Sequence, residues 1–196
     1  KSRVAQASRR NSQFHIGVVG YTNAGKSTLT NNLTNAGVLV EDKLFATLDS
    51  TTRKLFLSNT TEVILSDTVG FIRKLPHHLV ASFKSTLAVV KQADIVLHVV
   101  DGSAPSYSDH MEVTTKVLKD LVEESIPHII VFNKVDQIYP EVKTKLSTEF
   151  DHALFVSALE DIGIQPLKER LLVEAELWSD RKGRQNSSPQ EIEVIW

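Results

Sequence analysis

The sequence contains no cysteine, one methionine and two tryptophans in 196 residues. Without cysteine it can build neither a disulfide framework nor a thiolate metal site. No apolar run approaches the roughly 18 residues that a membrane span needs. No basic-then-apolar leader opens at Lys1, and no segment repeats at a fixed period. An excess of one charge is missing too. Lys and Arg number 22, Asp and Glu 24, and the net charge of −2 argues neither for nor against nucleic acid as a partner. What remains, 41% hydrophobic and 23% charged, is ordinary for one globular domain with a buried core. These absences are compatible with a cytoplasmic location, which is the expectation here.

The chain is instead organised around Gly20-Tyr21-Thr22-Asn23-Ala24-Gly25-Lys26-Ser27, which reads G-x-x-x-x-G-K-[ST], a phosphate-binding loop. The apolar run Phe14 to Val19 before it predicts a buried strand, and Thr28 to Ala36 after it predicts a short helix. Glycines let the backbone close around phosphate oxygens, with amide N–H groups pointing inward. The following helix adds its positive dipole end. Lys26 is then expected on the β- and γ-phosphates and Ser27 on Mg²⁺. The bland alternative is a glycine-rich turn with an incidental lysine.

Further along, Gly37 to Thr52 lacks a sustained pattern and predicts a long functional or mobile loop. Arg53 to Ser58 and Thr61 to Ser66 predict a hairpin around Asn59-Thr60. Leu79, Phe83, Leu87 and Val90 form a helical stripe after Pro76. Buried strands are predicted at Ile95 to Val100, His128 to Phe132 and Ala153 to Val156, with helices at Ser108 to Glu124, Glu141 to Phe150 and Pro166 to Trp178. Alternating strands and helices imply a three-layer α/β fold. Its six-stranded sheet is mostly parallel, with one antiparallel strand and helices on both faces. Such sheets bind ligands beyond the carboxyl ends of their strands. Residues 1–13 are expected to be a linker from an upstream domain, 14–180 the folded domain and 181–196 a flexible tail, rich in Gly, Asn and Ser from Gly183 to Pro189.

Two more motifs fall at predicted strand ends. Asp67-Thr68-Val69-Gly70 lies about forty residues past the phosphate loop. An aspartate there can hold Mg²⁺ through water, and the Gly70 amide can bond a γ-phosphate. Asn133-Lys134-Val135-Asp136 follows the strand from His128. Two carboxylate oxygens on Asp136 match guanine's adjacent N1–H and N2–H₂ donors, a pattern adenine does not present. The Lys134 stem can cover the base, and Asn133 can tie its loop to the phosphate loop. Ser157-Ala158-Leu159 follows the last strand and gains meaning only from its place in the order.

This ordered set resembles the GTPase superfamily over about Ile16 to Trp178. Gly20 to Thr28, Leu44-Phe45-Ala46-Thr47-Leu48-Asp49 and Asp67 to Ile72 look more specifically like the HflX family of ribosome-splitting GTPases. The resemblance implies GTP and GDP as ligands and hydrolysis to GDP and phosphate. It implies Mg²⁺ on Ser27, on Thr47 and, through water, on Asp67. Lys26, Thr47 and Gly70 become the catalytic set. Gly20, Tyr21, Thr22, Asn23, Ala24, Gly25, Lys26, Ser27, Thr28, Asp67, Gly70, Asn133, Lys134, Asp136, Ser157, Ala158 and Leu159 become the nucleotide-binding set. Thr51 and Thr52 stay open as alternatives to Thr47. The large ribosomal subunit becomes the expected partner of a full-length protein whose glycine-rich upstream domain this chain lacks, and a monomer is expected.

Phe71 stands where many small GTPases place a water-orienting glutamine, so slow unaided hydrolysis is expected. An assembly module that binds nucleotide with little turnover is the rival reading. Asn23 raises a K⁺ ion as a second cofactor, since in related GTPases an asparagine oxygen here helps hold one. Its other reading is a residue that simply tolerates left-handed backbone. His77, His78, His98 and His128 show no metal-ligand spacing and are read as structural or surface residues.

Overall fold

In a computed structural model of the protein, residues 13–35, 51–68, 70, 90–121 and 126–186 are described. Among the described residues, six strands form one sheet in the order β2-β3-β1-β4-β5-β6. They are β1 (His15–Gly20), β2 (Thr51–Phe56), β3 (Glu62–Asp67), β4 (Ile95–Asp101), β5 (His128–Asn133) and β6 (Leu154–Phe155). β1 runs parallel to both β3 and β4, and β4–β5 and β5–β6 are parallel as well. β2 alone is antiparallel, pairing Thr51 with Asp67 through Phe56 with Glu62. This is the mixed α/β sheet that the alternating pattern predicts.

The parallel strands are mostly apolar because both sheet faces are covered, although β4 carries His98 at its centre. On one face, Ile16, Val18, Leu65, Leu97 and Val131 pack with Leu29 and Leu33 of α1 (Lys26–Thr34) and with Leu167, Leu171 and Ala175 further on. On the other, Val19, Val90, Ala93 and Val96 meet Val117 and Leu118 of α2 (Tyr107–Leu121). Val100 and Phe132 meet Leu146 of α3 (Pro140–Glu149). Pro140 occupies the first helical turn of α3, where a missing N–H costs nothing.

Several boundaries differ from the sequence expectation. α1 starts at Lys26, directly after left-handed Gly25, and ends where left-handed Asn35 returns its N–H to the carbonyls of Asn31 and Asn32. The hairpin strands begin and end farther out, so Thr51 and Thr52 are strand residues and not loop residues. The largest difference is α4, which runs Ile164–Asn186 instead of stopping at Trp178. The expected flexible tail from 181 is therefore helical through Asn186. Charged and straight-chain residues after Trp178 sustain the helix, and Gly183, at about 1 kcal/mol in a helix interior, is too small a penalty to break it. Most of the expected linker, the loop 37–50, Phe71 and the helix expected from Pro76 up to residue 89 lie outside the described residues.

Near the start of the sheet, three elements share one carboxylate. Asp94 Oδ2 accepts the His15 N–H at 2.8 Å, and Asp94 Oδ1 accepts Trp178 Nε1–H at 2.8 Å. Phe14 meets the Trp178 ring edge-on at 5.5 Å, and Lys182 Nζ lies 4.1 Å above that ring.

Candidate functional site

The carboxyl ends of β1, β3, β4 and β5 bring the motifs together. After β1 the chain makes the tight loop Gly20 to Gly25, with Asn23 left-handed at φ 59° and Gly25 at φ 86°. Gly25 is required twice over. A side chain is strained at that φ, and a Cβ there would lie 2.2 Å from Asn133 Nδ2. Asn23 is exposed, and its backbone is the left-handed one that asparagine tolerates.

Lys26 opens α1 buried beneath this loop and donates to the Tyr21 carbonyl at 3.0 Å. Burial pushes its ammonium down to about 8, while nearby Asp67 acts in the opposite direction. Gly70 reaches the same spot from the end of β3. A Cβ on Gly70 would stand 2.7 Å from Thr22 Cα and 2.9 Å from Lys26 Nζ. Glycine at 70 therefore lets the D-x-x-G backbone press directly against the lysine and the loop.

Ser27 Oγ donates to Asp67 Oδ2 at 2.6 Å. A hydroxyl and a carboxylate side by side are hard oxygen donors of the kind Mg²⁺ takes. Among the described residues, no group of three or more His, Asp or Glu could hold a metal. A hydroxyl with one carboxylate fits an ion that completes its shell from phosphate oxygens and water. Thr47 lies outside the described residues. Of its alternatives, Thr51 pairs with Asp67 in the β2–β3 ladder, and the Thr52 hydroxyl bonds Ser66 Oγ at 3.0 Å. Ladder geometry holds both threonines in the sheet, so neither belongs to the predicted loop.

Asn133 is buried at the end of β5 and joins three segments. Its Nδ2 donates to the Ala24 carbonyl at 3.0 Å, and its Oδ1 accepts the Ala158 N–H at 3.0 Å. The Val156 carbonyl in turn accepts the Val135 N–H at 3.1 Å. Lys134 adopts left-handed backbone at φ 63° and leads into a single 3-10 turn, Val135–Gln137. This turn presents Asp136 to solvent. Ser157 is buried; its Oγ accepts the Glu160 N–H at 3.2 Å, while Leu159 is 73% exposed.

Some neighbours were not singled out from the sequence. Asp101, at the end of β4, forms an ion pair with Lys134 Nζ at 2.7 Å. It closes β4 directly opposite Asn133, but nothing in the sequence pairs it with Lys134. The Tyr21 ring stacks on His110 of α2 at 3.9 Å, and no motif marks that pairing. His98 is buried in β4, and burial, aided by His128 and Lys26, lowers its pKa to about 4, so the ring is neutral at physiological pH.

A tight loop over a buried lysine, beside a hydroxyl–carboxylate pair and an N-K-x-D turn, is the arrangement of the phosphate-loop nucleoside triphosphatase class. A family described as 50S ribosome-binding GTPase matches residues 15–134, more than half of the chain. The chain belongs to this GTPase family, and its relatives place it with the HflX type. It is 49% identical over 177 residues to GTPase HflX of Caldanaerobacter subterraneus, covering 89% of this chain and 39% of the relative. To GTPase HflX of Gluconacetobacter diazotrophicus it is 45% identical over 175 residues, covering 88% and 39%. The chain thus spans about two fifths of the length of these relatives.

Among solved structures, a GTP-binding protein of Sulfolobus solfataricus in complex with GDP superposes with a TM-score of 0.64 at 25% identity, covering 89% of this chain and 56% of that one. Era of Aquifex aeolicus bound to GDP·AlF4⁻ gives a TM-score of 0.66 at 23% identity, covering 82% and 56%, and bears on the fold alone.

Proposed function

We propose that the chain is the switch domain of a GTPase that binds GTP with Mg²⁺ and hydrolyses it to GDP and phosphate. The observation that carries this reading is the Asn133 side chain, which fastens the phosphate loop to both base-side loops and so makes one site of them. In this reading the loop amides from Gly20 to Ser27, with Thr28 in the first helical turn, hold the phosphates. Lys26 neutralises the β- and γ-oxygens, and the Gly70 amide meets the γ-phosphate. Ser27 and Thr47 hold Mg²⁺ directly and Asp67 through water. The ion, when bound, draws charge from the phosphate oxygens. Asp136 reads guanine, Lys134 covers its face, and the Ser157-Ala158-Leu159 backbone meets the base oxygen. Asn23, exposed at the loop's crest, contributes its amide oxygen to a K⁺ ion.

The segment expected to be mobile before β2 and the one after Asp67 respond to the γ-phosphate. The whole protein acts on the large ribosomal subunit in the cytoplasm, with this domain supplying the switch as a monomer. The test is GTP turnover in K⁺ and in Na⁺ at equal ionic strength, with and without large ribosomal subunits, using the whole protein. Stimulation by subunits is expected, as is a K⁺ preference lost in Asn23→Ala. Turnover indifferent to subunits would overturn the ribosomal reading, and turnover indifferent to the cation would remove K⁺.

A further inference from the structure

The ion pair between Asp101 and Lys134 joins two adjacent strand ends. Asp101 lies opposite Asn133 in the β4–β5 register, one residue before Lys134. Asp101 Oδ2 contacts Lys134 Nζ at 2.7 Å. Asp101 Oδ1 accepts both the Ser103 N–H at 3.0 Å and the Ser103 hydroxyl at 2.6 Å. The carboxylate is therefore held from one side by its own turn while it grips the lysine on the other. That turn is itself tied to β5, because the Gly102 N–H donates to the Asn133 carbonyl at 3.0 Å. Side-chain exposures of 16% for Asp101 and 23% for Lys134 make this a largely shielded pair.

A lysine has a flexible four-carbon stem with about 2 kcal/mol of rotamer entropy, and left alone it sweeps a wide arc. Pinned at its ammonium, and set at its Cα by left-handed backbone, the stem becomes a fixed apolar wall. We infer that Asp101 is a positioning residue for nucleotide recognition, holding the Lys134 stem in place as one face of the base pocket. This inference rests on the guanine reading of the Asn133-to-Asp136 turn. Asp101 touches neither phosphate nor the reacting atoms in this arrangement, so its effect belongs to affinity and not to chemistry. The wall packs against a ring face and not its edge, so it serves any purine that Asp136 admits.

The experiment is a mutant cycle on the chain: Asp101→Asn, Lys134→Met and the double variant. Methionine keeps a stem of similar length without the anchored charge. Affinities for GDP, inosine diphosphate and, for the parent, ADP are measured by calorimetry, together with kcat and KM for GTP. Asp101→Asn is expected to weaken both diphosphates by about tenfold, the loss of one charge-assisted contact. Their ratio stays unchanged, KM rises and kcat stays within about twofold. Lys134→Met is expected to match it, and the double variant to be no weaker than either single. Losses that multiply in the double variant would overturn the inference, as would Lys134→Met binding like the parent. The second result reads even if Asp101→Asn fails to fold. A parent chain that does not prefer GDP to ADP would overturn the guanine reading as well. Parent preference with multiplying losses would overturn the Asp101 role alone.

Discussion

The two halves of the site are built on opposite principles. On the base side every buried polar group of the joint has a partner: Asn133 satisfies a carbonyl and an amide, and Lys134 is paired with Asp101. On the phosphate side, Lys26 is buried with a single hydrogen bond to a carbonyl, and burial lowers its pKa to about 8. The Thr22 hydroxyl beside it is buried and has no hydrogen-bond partner among the described residues. One half is joined within the protein; in the proposed reading the other is joined by the phosphates. In the proposed reading, the difference teaches where ligand binding energy would enter: the phosphate half carries an electrostatic cost that phosphate would relieve, while the base half would contribute shape.

The largest test of that contrast is Lys26→Met. Triphosphate affinity is expected to fall by about 3 kcal/mol, roughly a hundredfold, as a buried charge-assisted contact disappears. The nucleotide-free fold should become more stable at neutral pH, because a desolvated ammonium has gone. The sign with pH follows from the lowered pKa. The folded lysine loses its proton near pH 8 and the unfolded one near 10.5. The penalty is therefore fully present below pH 8 and is relieved as pH climbs toward 10.5. Denaturant unfolding of parent and variant at pH 7 and pH 9.5 should show a stability gap that narrows at the higher pH. A parent more stable than the variant at pH 7 would break the comparison.

Asn133→Ala attacks the half joined within the protein. It leaves the Ala24 carbonyl and the Ala158 N–H unpaired in a buried setting. A loss of about 2–3 kcal/mol is expected, a drop of roughly 4–12 °C in thermal unfolding. GDP and GTP affinities should fall together. Here stability and binding move in the same direction, opposite to the expectation for Lys26.

Asp136→Asn sharpens the contrast with the smallest structural effect. Asp136 is exposed, so stability should change by less than about 0.5 kcal/mol. GTP affinity should fall by about 1–3 kcal/mol as one acceptor becomes a donor facing guanine N2. Xanthosine triphosphate, with a carbonyl there, should gain. Competition binding with both nucleotides checks it.

Much of this architecture was legible in the chain. Gly20 to Ser27 is dense in glycine, lysine and hydroxyl at fixed spacing, and β1, β4 and β5 read as largely apolar runs, broken in β4 only by the buried His98. The length of α4 was less legible. Its apolar stripe stops at Trp178, while the next turns are held by helix propensity on an exposed surface, which leaves no periodic trace. The start of β2 was hidden for a related reason. Thr51 and Thr52 are exposed edge-strand residues, and their polarity reads as loop. In the site, the motif residues were readable but their supports were not. Asp101 and His110 act across 33 and 89 positions of sequence, on Lys134 and Tyr21, and single-chain spacing does not encode such pairings.

The carboxylate of Asp94 ties together parts of the fold that are far apart in sequence. It serves the entry of the first strand and the indole of the last helix, so its two partners lie 79 residues before it and 84 residues after it. During synthesis β1 emerges before Asp94, and Asp94 before Trp178 of α4. Contacts of such long sequence separation also carry a large loop-closure cost and form late. Until α4 docks, the Phe14 ring lacks its aromatic neighbour and one oxygen of Asp94 lacks its indole donor. Among the described elements, the first strand in chain order is thus fastened to the last helix through a residue that lies between them.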